Sequence, residues 1–432
     1  MGLKIQSLQN RAAILRLFAA NTISGAAQGV SMLAVPWYFT DVLQQIPLFN
    51  SIYAGATFVS LFWGLYAGTL IDRFSRKGIF LAENAAGAVI LIGIALFGFY
   101  QCSLLPWPLV ALVFVTTFFN YNIHYPALYA FAQEISNRQD YARITAYLEI
   151  QGQFTNAFAG GLAAVLLSGI TPGTVHFAGY ALYIPLHLEK WSLDQIFLLD
   201  GITYLLSFLL IATIRYTPQV QRHPENLSLR ERFNIGIGFL KGNPLILLFG
   251  NLSYFVFVTI MVLNFVLMPN FVKNYLQKAA HAFAIGDMAF AIGAIAAGLL
   301  VGQLFKQQAT VKGIISMALL AALAYAVLMF NRNVGMYYLL TLLLGFSNAG
   351  ARIMRITYLF NHIPNQIIGR ASSVFQVVNV LMRFGFIGLV SAPFFIGHIQ
   401  YSFLLMGALC LLSAAGLAAL YKRLVALQPG NE

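Results

Sequence analysis

Residues 64–77 of this 432-residue chain read GLYAGTLIDRFSRK, an apolar stretch that ends in a cluster of charges. Gly64 and Gly68 are about one helical turn apart, and small residues at that spacing let two membrane helices approach closely. Asp72 follows at the rim of the apolar stretch, where it can pair with an arginine or cap a neighbouring helix. A pair of this kind is a latch that holds one conformation and breaks in another. An ordinary basic loop is the alternative interpretation.

The stretch recurs in the second half of the chain as residues 298–306, GLLVGQLFK. The two glycines and a leucine match at one constant offset, whereas Lys306 stands in the place of Asp72. Duplication of this kind is how many transporters form two halves that rock around a central site. The sequence therefore predicts an internal repeat with an acidic latch in the first half alone.

The composition predicts a chain that is almost entirely embedded in a membrane. Hydrophobic residues make up 59% of it and charged residues 9%, whereas a soluble domain carries about 25% charged residues. Apolar runs of about 20 residues, each long enough to cross the ~30 Å hydrocarbon layer as a helix, recur with short polar interruptions. The first run is too long for a secretory signal sequence, so we expect it to be the first spanning helix. The predicted spans are 12–40, 47–71, 79–101, 105–135, 143–170, 191–215, 244–272, 280–305, 312–330, 335–360, 371–397 and 399–421.

A polar stretch at 217–229, which contains two prolines, divides the twelve predicted helices into six and six. We predict an N-terminal six-helix bundle at 1–216, a cytoplasmic linker with an amphipathic helix at 217–243, and a C-terminal six-helix bundle at 244–432. The linker helix either moves with the two halves or is a passive anchor at the membrane surface.

The basic residues are distributed unequally between the two sides of the predicted helices. With a cytoplasmic N-terminus, eighteen lysines and arginines fall in cytoplasmic segments and four in external ones. Short cytoplasmic loops favour Lys and Arg, so we predict cytoplasmic termini and a multi-pass protein of a bacterial inner membrane. The net charge of +12 follows from this bias and does not indicate nucleic acid. The expected partners are the lipid bilayer and a small-molecule substrate, and we expect a monomer.

The 64–77 stretch resembles the loop signature of the major facilitator superfamily: glycine, three residues, glycine, then an aspartate–arginine pair followed by arginine–lysine. The resemblance extends over the whole chain, because twelve helices, two halves, a central linker and inside termini are features of that superfamily. It implies an all-α membrane protein with twelve transmembrane helices in two pseudo-symmetric six-helix bundles. The residues expected at the latch are Gly64, Gly68, Asp72, Arg73, Arg76, Lys77, Glu83 and Arg143.

The fifth predicted helix is similar to the exporter signature of the superfamily. Gly152, Gly160 and Gly161 match that signature, but Asn156 and Ala157 stand where Gly-Pro is expected. With other local features, the chain looks like the branch that holds macrolide-efflux proteins and the enterobactin exporter. This implies export of a drug- or siderophore-like amphipathic compound, driven by a proton or other ion gradient and without a cofactor. The Asn156-Ala157 pair favours the alternative, an importer or uniporter for a nutrient or a metal chelate. Ordinary packing of small residues is the structural alternative.

Charged residues inside the apolar helices are the next candidates, because a charge in the hydrocarbon is costly and usually functional. Glu149, about two turns into its helix, is the first choice for a residue that binds and releases a proton during the cycle. Asp41 and Asp287, nearer to helix ends, are further proton-coupling candidates. Arg383 either attracts an anionic substrate or pairs with a carboxylate.

Other polar and aromatic residues in the helices are expected to line a central cavity, although most aromatic residues pack or anchor the interface. The cavity candidates are Asn21, Gln28, Tyr121, Asn122, His124, Gln153, Asn156, Tyr254, Asn264, Asn348, Arg352, Gln376 and Arg383.

Other classes of membrane protein lack support in the sequence. An intramembrane metalloenzyme needs a pair such as His-Glu-x-x-His, and none of the seven histidines has a partner at that spacing. The two cysteines are far apart in sequence, so we predict no metal site. A nucleotide-driven pump needs a Walker-type loop, which is absent from the sequence. We therefore expect no enzymatic activity. A channel or receptor-like scaffold is a third class, which an absence of saturable transport would favour.

Overall fold

The structure of the chain, a computed structural model, describes residues 10–101, 103–136, 141–170, 172–177, 180–216, 229–305 and 310–427. Lys306 and the first part of the predicted linker, 217–228, lie outside the described residues. The helices are α1 Arg11–Trp37, α2 Ile46–Arg73, α3 Arg76–Gln101, α4 Trp107–Ile135, α5 Tyr141–Ser168, α6 Leu193–Ala212, α7 Leu229–Gly242, α8 Pro244–Val262, α9 Met268–Asn270, α10 Ala280–Leu304, α11 Thr310–Phe330, α12 Val334–His362, α13 Asn365–Val390, α14 Pro393–Gly397 and α15 Ile399–Val425.

Twelve long helical segments occupy the positions of the twelve predicted ones, and the predicted all-α membrane fold is confirmed. The short helix α7 lies in the second part of the predicted linker. Helix α13, predicted at 371–397, differs from the prediction at both ends. It begins directly after Pro364 and ends at Val390, before Pro393 starts α14. Proline is well suited to the first turn of a helix and disrupts a helix interior, so these two prolines explain both limits.

The segment between α5 and α6 contains a β-hairpin. Strand β1 is Gly173–Phe177 and strand β2 is Tyr180–Ile184, and the two are antiparallel. Both strands are rich in β-branched and aromatic residues, which favour extended backbone. This strand propensity was not recognised in the sequence, so the hairpin was not predicted.

Helices α1 and α8 both continue into π-helical turns. Tyr38–Val42 follows α1, and Leu263–Leu267 and Phe271–Tyr275 follow α8, with the short α9 between them. Pro36 lies inside α1 just before the first of these turns, and Pro269 lies in α9. A proline removes one N–H donor from the helical ladder, and the neighbouring backbone adjusts by changing its hydrogen-bond spacing. These turns place Asp41 and Lys273 near the ends of their helices.

The helices form two compact units, which repeat one packing scheme. In the first unit, α1 contacts α4, α5 and α6, and α3 packs against α4 and α6. In the second unit, α8 contacts α12, α13 and α15, and α11 packs against α12 and α15. The helix starts repeat at the same spacing as the sequence motif. The number of residues from the start of α2 to the start of α10 equals that from Gly64 to Gly298, and the same holds for α3 and α11. The first unit consists of Met1–Gln45, Ala67–Arg222 and Val272–Met288, and the second of Ile46–Tyr66, His223–Phe271 and Ala289–Glu432.

Within the described part of the chain, nine helices are long and apolar enough to cross a membrane. Helices α1, α4 and α5 are as long as these but are not among the nine. Their polar side chains lower their hydropathy, as the run Glu149, Gln151, Gln153 and Asn156 in α5 shows. Since α1, α4 and α5 contact one another, the first unit concentrates its polar residues on three mutually packed helices.

Large apolar side chains cover the outward faces of the helices. Leu96, Leu299 and Phe330 are 57%, 66% and 76% exposed, and many others resemble them. Exposed apolar surface of this extent marks contact with another apolar phase, and the multi-pass topology makes that phase lipid.

Two glycines bring α10 and α12 into backbone contact. A Cβ atom at Gly293 would collide with the carbonyl oxygen of Leu342, and one at Gly345 would collide with the carbonyl oxygen of Phe290. Helix association in lipid depends on close packing of this kind, because lipid tails are as apolar as leucine. Gly298 lies on the same helix as Gly293, and a Cβ atom there would meet nothing within 4 Å.

We expect Gly293→Ala to lower the free energy of unfolding by about 1–3 kcal/mol, because the added methyl group meets backbone that cannot move aside. Gly298→Ala should leave stability unchanged. Thermal unfolding of the purified variants in one detergent measures both. Equal unfolding temperatures for the two variants would contradict the close contact.

Candidate functional site

The structure describes the side chains of four residues of the predicted latch, Arg73, Arg76, Lys77 and Glu83. The side chains of Gly68, Asp72 and Arg143 lie outside the described part of the structure, so the pairing of Asp72 stays a prediction. Gly64 has open space around the position of a Cβ atom, and Arg73 is exposed. Arg76 and Lys77, at the start of α3, contact residues that were not predicted to belong to the latch.

Arg76 pairs with Glu134, near the end of α4. Its Nη1 atom donates to Glu134 Oε2 at 3.1 Å, and the Tyr216 hydroxyl donates to Glu134 Oε1 at 2.9 Å. Glu134 is only 4% exposed, so the two donors stabilise a carboxylate that has little access to water. The Tyr216 ring also packs edge-on against Phe131, with centroids 5.2 Å apart. Glu134 was missed because it lies close to the predicted end of its helix, where a charge needs no special explanation.

The next residue, Lys77, binds the end of α6. Its Nζ atom donates to the carbonyl oxygens of Ala212 and Ile214, each at 2.8 Å, and Arg16 of α1 donates to the carbonyl oxygen of Thr213 at 2.6 Å. The last carbonyls of a helix have no partner within the helix, and the helix dipole favours cations there. The basic residues of the latch therefore hold the ends of α4 and α6 within the first unit.

Glu83 was expected to join the latch, but the structure places it elsewhere. Its Oε2 atom lies 3.4 Å from Nδ1 of His124 in α4, and Nε2 of the same imidazole lies 2.7 Å from Oδ1 of Asn21 in α1. Glu83 is 9% exposed. Three helices of the first unit thus contribute to one chain of polar groups, which joins two predicted cavity residues to a carboxyl group.

The geometry of this chain restricts the position of the exchangeable proton. The amide oxygen of Asn21 is an acceptor, so Nε2 of His124 carries a hydrogen. Nδ1 then faces Glu83 either as an N–H beside a carboxylate or as a lone pair beside a carboxylic acid. These two arrangements hold the same number of protons and differ only in which atom carries the shared one. Release of that proton leaves a carboxylate facing a lone pair, and the hydrogen bond to Asn21 is retained.

A second buried carboxyl group in the first unit was not selected from the sequence. Asp200 of α6 is 0% exposed, and the Ser31 hydroxyl of α1 donates to its Oδ2 atom at 2.6 Å. Oδ1 has no hydrogen-bond partner among the described residues. The signal was present, since Asp200 is an acidic residue in the middle of the apolar run LLDGITYLL.

The three predicted proton-coupling residues have different environments. Glu149 is exposed rather than buried, and its Oε1 atom accepts a hydrogen bond of 2.6 Å from the Tyr129 hydroxyl. Asp41 forms an ion pair with Lys273. Asp287 is half-buried in α10. None of the three contacts Glu83 in the described part of the chain, so their roles in proton coupling stay predictions.

The charged side chains buried in the described part of the second unit are those of two arginines. Arg355 donates to the Ser253 carbonyl oxygen at 3.1 Å, and its guanidinium lies over the Tyr254 ring, 3.8 Å from the centroid. Arg383 is 7% exposed and lies beside the Tyr53 hydroxyl of α2. Tyr53 was not selected from the sequence, because nothing in the sequence indicates which face of α2 meets α13.

The other predicted cavity residues are spread over both units. Asn122 donates to the Phe118 carbonyl oxygen of its own helix, and Oδ1 of Asn348 has no hydrogen-bond partner in the described structure. Half-buried members are Gln28, Gln153, Asn264 and Arg352; exposed members are Tyr121, Asn156 and Gln376.

A protein-family model described as the Major Facilitator Superfamily matches residues 17–387. The match covers most of the chain and both units. The chain belongs to the Major Facilitator Superfamily.

Several solved structures have the same fold. The nucleoside transporter NupG is 13% identical, with 95% of this chain and 99% of that chain covered and a TM-score of 0.68. A D-xylose-proton symporter is 14% identical, with 94% and 96% covered and a TM-score of 0.68. A bacterial homologue of the human lysosomal transporter Spinster, inward-facing and unoccupied, is 12% identical, with 98% of both chains covered and a TM-score of 0.68.

At these identities the structures are evidence for the fold alone. A sequence search of curated proteins finds no match. As a member of the superfamily the chain is a multi-pass membrane protein and a secondary transporter, not an enzyme.

We expect Arg76→Gln to lower the free energy of unfolding of this transporter by about 2–3 kcal/mol, because it leaves the buried Glu134 carboxylate without its cation. Arg73→Gln, on an exposed arginine earlier in the same basic cluster, is the matched control and should have no effect. Thermal unfolding in detergent measures both.

The double variant Arg76→Gln/Glu134→Gln tests the pairing itself. It should recover part of the loss, because the neutral amide no longer needs a cation. Additive losses in the double variant would contradict the ion pair.

Proposed function

We propose that the chain is a proton-coupled exporter that works by alternating access and carries a small to medium amphipathic compound, drug-like or siderophore-like. The resemblance to the macrolide-efflux and enterobactin-exporter branch supports this choice within the superfamily. A bacterial inner membrane with cytoplasmic termini is part of the same proposal, and the distribution of basic residues supports it.

The Glu83–His124 pair carries the proposal of proton coupling. Ionisable side chains inside membrane helices are rare and mark proton or substrate pathways, and a carboxyl–imidazole pair can take up one proton without rearranging its other contacts. Glu83 fits this role better than Glu149, because Glu83 is buried and lies on a chain of polar groups that crosses three helices. Asp200, held by Ser31, is the second group of the first unit that can hold a proton.

The exporter assignment has partial support in the packing of α5. A Cβ atom at Gly160 would approach the backbone nitrogen of Met288 to 2.8 Å, so this position of the exporter-like signature needs glycine. At Gly152 a Cβ atom would meet nothing within 4 Å. The close helix contact that the exporter signature implies is therefore present at Gly160 and not at Gly152.

Proton binding can be measured without knowledge of the substrate. Purified protein is reconstituted in proteoliposomes on a solid-supported membrane, and a rapid pH jump reports charge displacement as protons bind. We expect a transient current from the wild type, its loss in Glu83→Gln, and a current close to that of the wild type in Glu149→Gln. Wild-type currents in Glu83→Gln, with loss in Glu149→Gln, would show that coupling belongs to Glu149 instead.

An importer or uniporter of the same fold is the second candidate. The observation that favours it is the continuity of α5, which runs unbroken over Tyr141–Ser168 with Asn156 where the exporter signature has glycine before proline. A helix without that proline is not kinked in the way that the signature implies.

The direction of accumulation distinguishes the two candidates. Respiring everted vesicles have an acidic interior, so an exporter that exchanges its substrate for protons should concentrate the amphipathic anion carboxyfluorescein inside them. Vesicles with the Glu83→Gln variant should not concentrate it. Accumulation in right-side-out vesicles, and not in everted ones, would favour the importer.

A further inference from the structure

A group of polar side chains from α2 and α13 is buried inside the second unit. Asn50, Tyr53 and Thr57 of α2 are 1%, 0% and 0% exposed, and Asn379 and Arg383 of α13 are 1% and 7% exposed. Their spacings of three and four positions place each set on one face of its helix. We call these five residues the Arg383 site.

The two sets meet at Tyr53. Its hydroxyl lies beside the side chains of Thr57 and Arg383, and it donates to the Met261 carbonyl oxygen at 3.3 Å. Nearby, the rings of Phe58 and Phe384 lie 5.3 Å apart, so the two helices are adjacent along this stretch. The Arg383 site is therefore one cluster rather than two separate polar faces.

Most polar atoms of the cluster have no partner among the described residues. They are both amide atoms of Asn50, both amide atoms of Asn379 and Nε of Arg383. Each buried donor or acceptor without a partner costs about 1–3 kcal/mol. Such a concentration of unsatisfied groups in one place is expected where the partner is a molecule that binds there.

The spanning segments of the second unit offer Arg383 no acidic counter-charge. Residues 46–66, 232–271 and 289–431 contain no aspartate or glutamate. Ten of the thirteen acidic residues fall within the first unit. Arg355 shows how an arginine of the second unit is stabilised without an acid, since it uses a carbonyl oxygen and an aromatic ring. Arg383 has the Tyr53 hydroxyl beside it, and a buried guanidinium needs more than one neutral neighbour.

We propose that the Arg383 site binds the anionic group of the transported compound, a carboxylate, phosphate or sulfonate. The proposal rests on the proposed transport function and narrows its substrate to amphipathic anions. The planar guanidinium donates two parallel hydrogen bonds to such a group. Asn50 and Asn379 each offer a donor and an acceptor, which suit hydroxyl or amide groups next to the anion.

An anionic lipid headgroup has the same chemistry as a solute anion, but the position of the site favours the solute. Arg383 lies about two helical turns before the end of α13 at Val390, or about 10 Å along the helix axis. Headgroups lie at the membrane surface, so a headgroup would have to move about 10 Å along the helix axis to reach Arg383.

Binding is tested on the full chain in nanodiscs of zwitterionic phosphatidylcholine. Decanesulfonate and decanol are the probes, because they share a tail and differ in charge. We expect decanesulfonate to raise the unfolding temperature of the wild type more than decanol does. Arg383→Gln should bind decanesulfonate roughly tenfold more weakly, and Arg383→Lys should recover part of the binding. Arg423→Gln, on an exposed arginine of the same unit, is the control.

A second variant keeps the test decisive if Arg383→Gln does not fold. Asn50→Ala removes an amide that has no partner in the described structure, so it should preserve or raise stability while it weakens decanesulfonate binding. Loss of stability with unchanged binding would overturn the proposal, as would equal shifts by the two probes in the wild type.

Two further arms separate the remaining explanations. In the first arm, nanodiscs of phosphatidylglycerol are used without added solute. If they stabilise the wild type but not Arg383→Gln, and decanesulfonate has no effect, the site binds a lipid headgroup and the proposal is overturned. The assay uses no proton gradient. If decanesulfonate binding depends on Arg383 but the protein gives no pH-jump current, the proton coupling is contradicted and the anion site is still supported.

Discussion

A charge in the hydrocarbon layer must be paired, hydrogen-bonded or neutralised, and this constraint explains the arrangement of polar groups in the molecule. The chain has few charges to place, and its acidic residues are unequally distributed. Ten of the thirteen belong to the first unit, whereas the spanning segments of the second unit contain Arg352, Arg355 and Arg383 without an acidic residue. Glu134 is paired with Arg76, and Arg355 is held by a carbonyl oxygen and a ring. Glu83 faces an imidazole rather than a fixed cation, and Arg383 has neutral neighbours in the second unit. To these two groups we assign proton and anion binding.

The repeated packing scheme explains how one fold supports two kinds of site. Helix α1 in the first unit and α8 in the second make equivalent contacts with three helices of their own unit. The sequences of the two repeats have diverged in charge while the packing has been kept, as the exchange of Asp72 for Lys306 already indicates. In the first unit, α1 and α4 contribute Asn21 and His124 to the polar chain around Glu83. Binding groups of opposite sign suit a transporter that exchanges protons for an anionic compound.

The fold was predictable from the sequence because long apolar runs, their number and the repeated glycine motif are local patterns. The amphipathic helix within the linker and the superfamily resemblance were predictable for the same reason. The partners of charged residues were not predictable: Glu83 was assigned to the latch, whereas its partner, His124, lies on a different helix. Which faces of α2 and α13 meet depends on tertiary packing, so Tyr53, Asn50, Thr57 and Asn379 gave no signal. Asp200 did give one, as an acid within an apolar run, and was overlooked.

The central claim is that proton binding at Glu83 and anion binding at Arg383 oppose each other, as exchange requires. The most direct measurement is the pH change when decanesulfonate is added to purified protein in weakly buffered solution, because this probe carries no titratable proton of its own. We predict that the wild type releases protons on binding, and that Glu83→Gln and Arg383→Gln do not. Proton uptake on binding would indicate transport of both in the same direction, and binding without any proton movement would contradict coupling altogether.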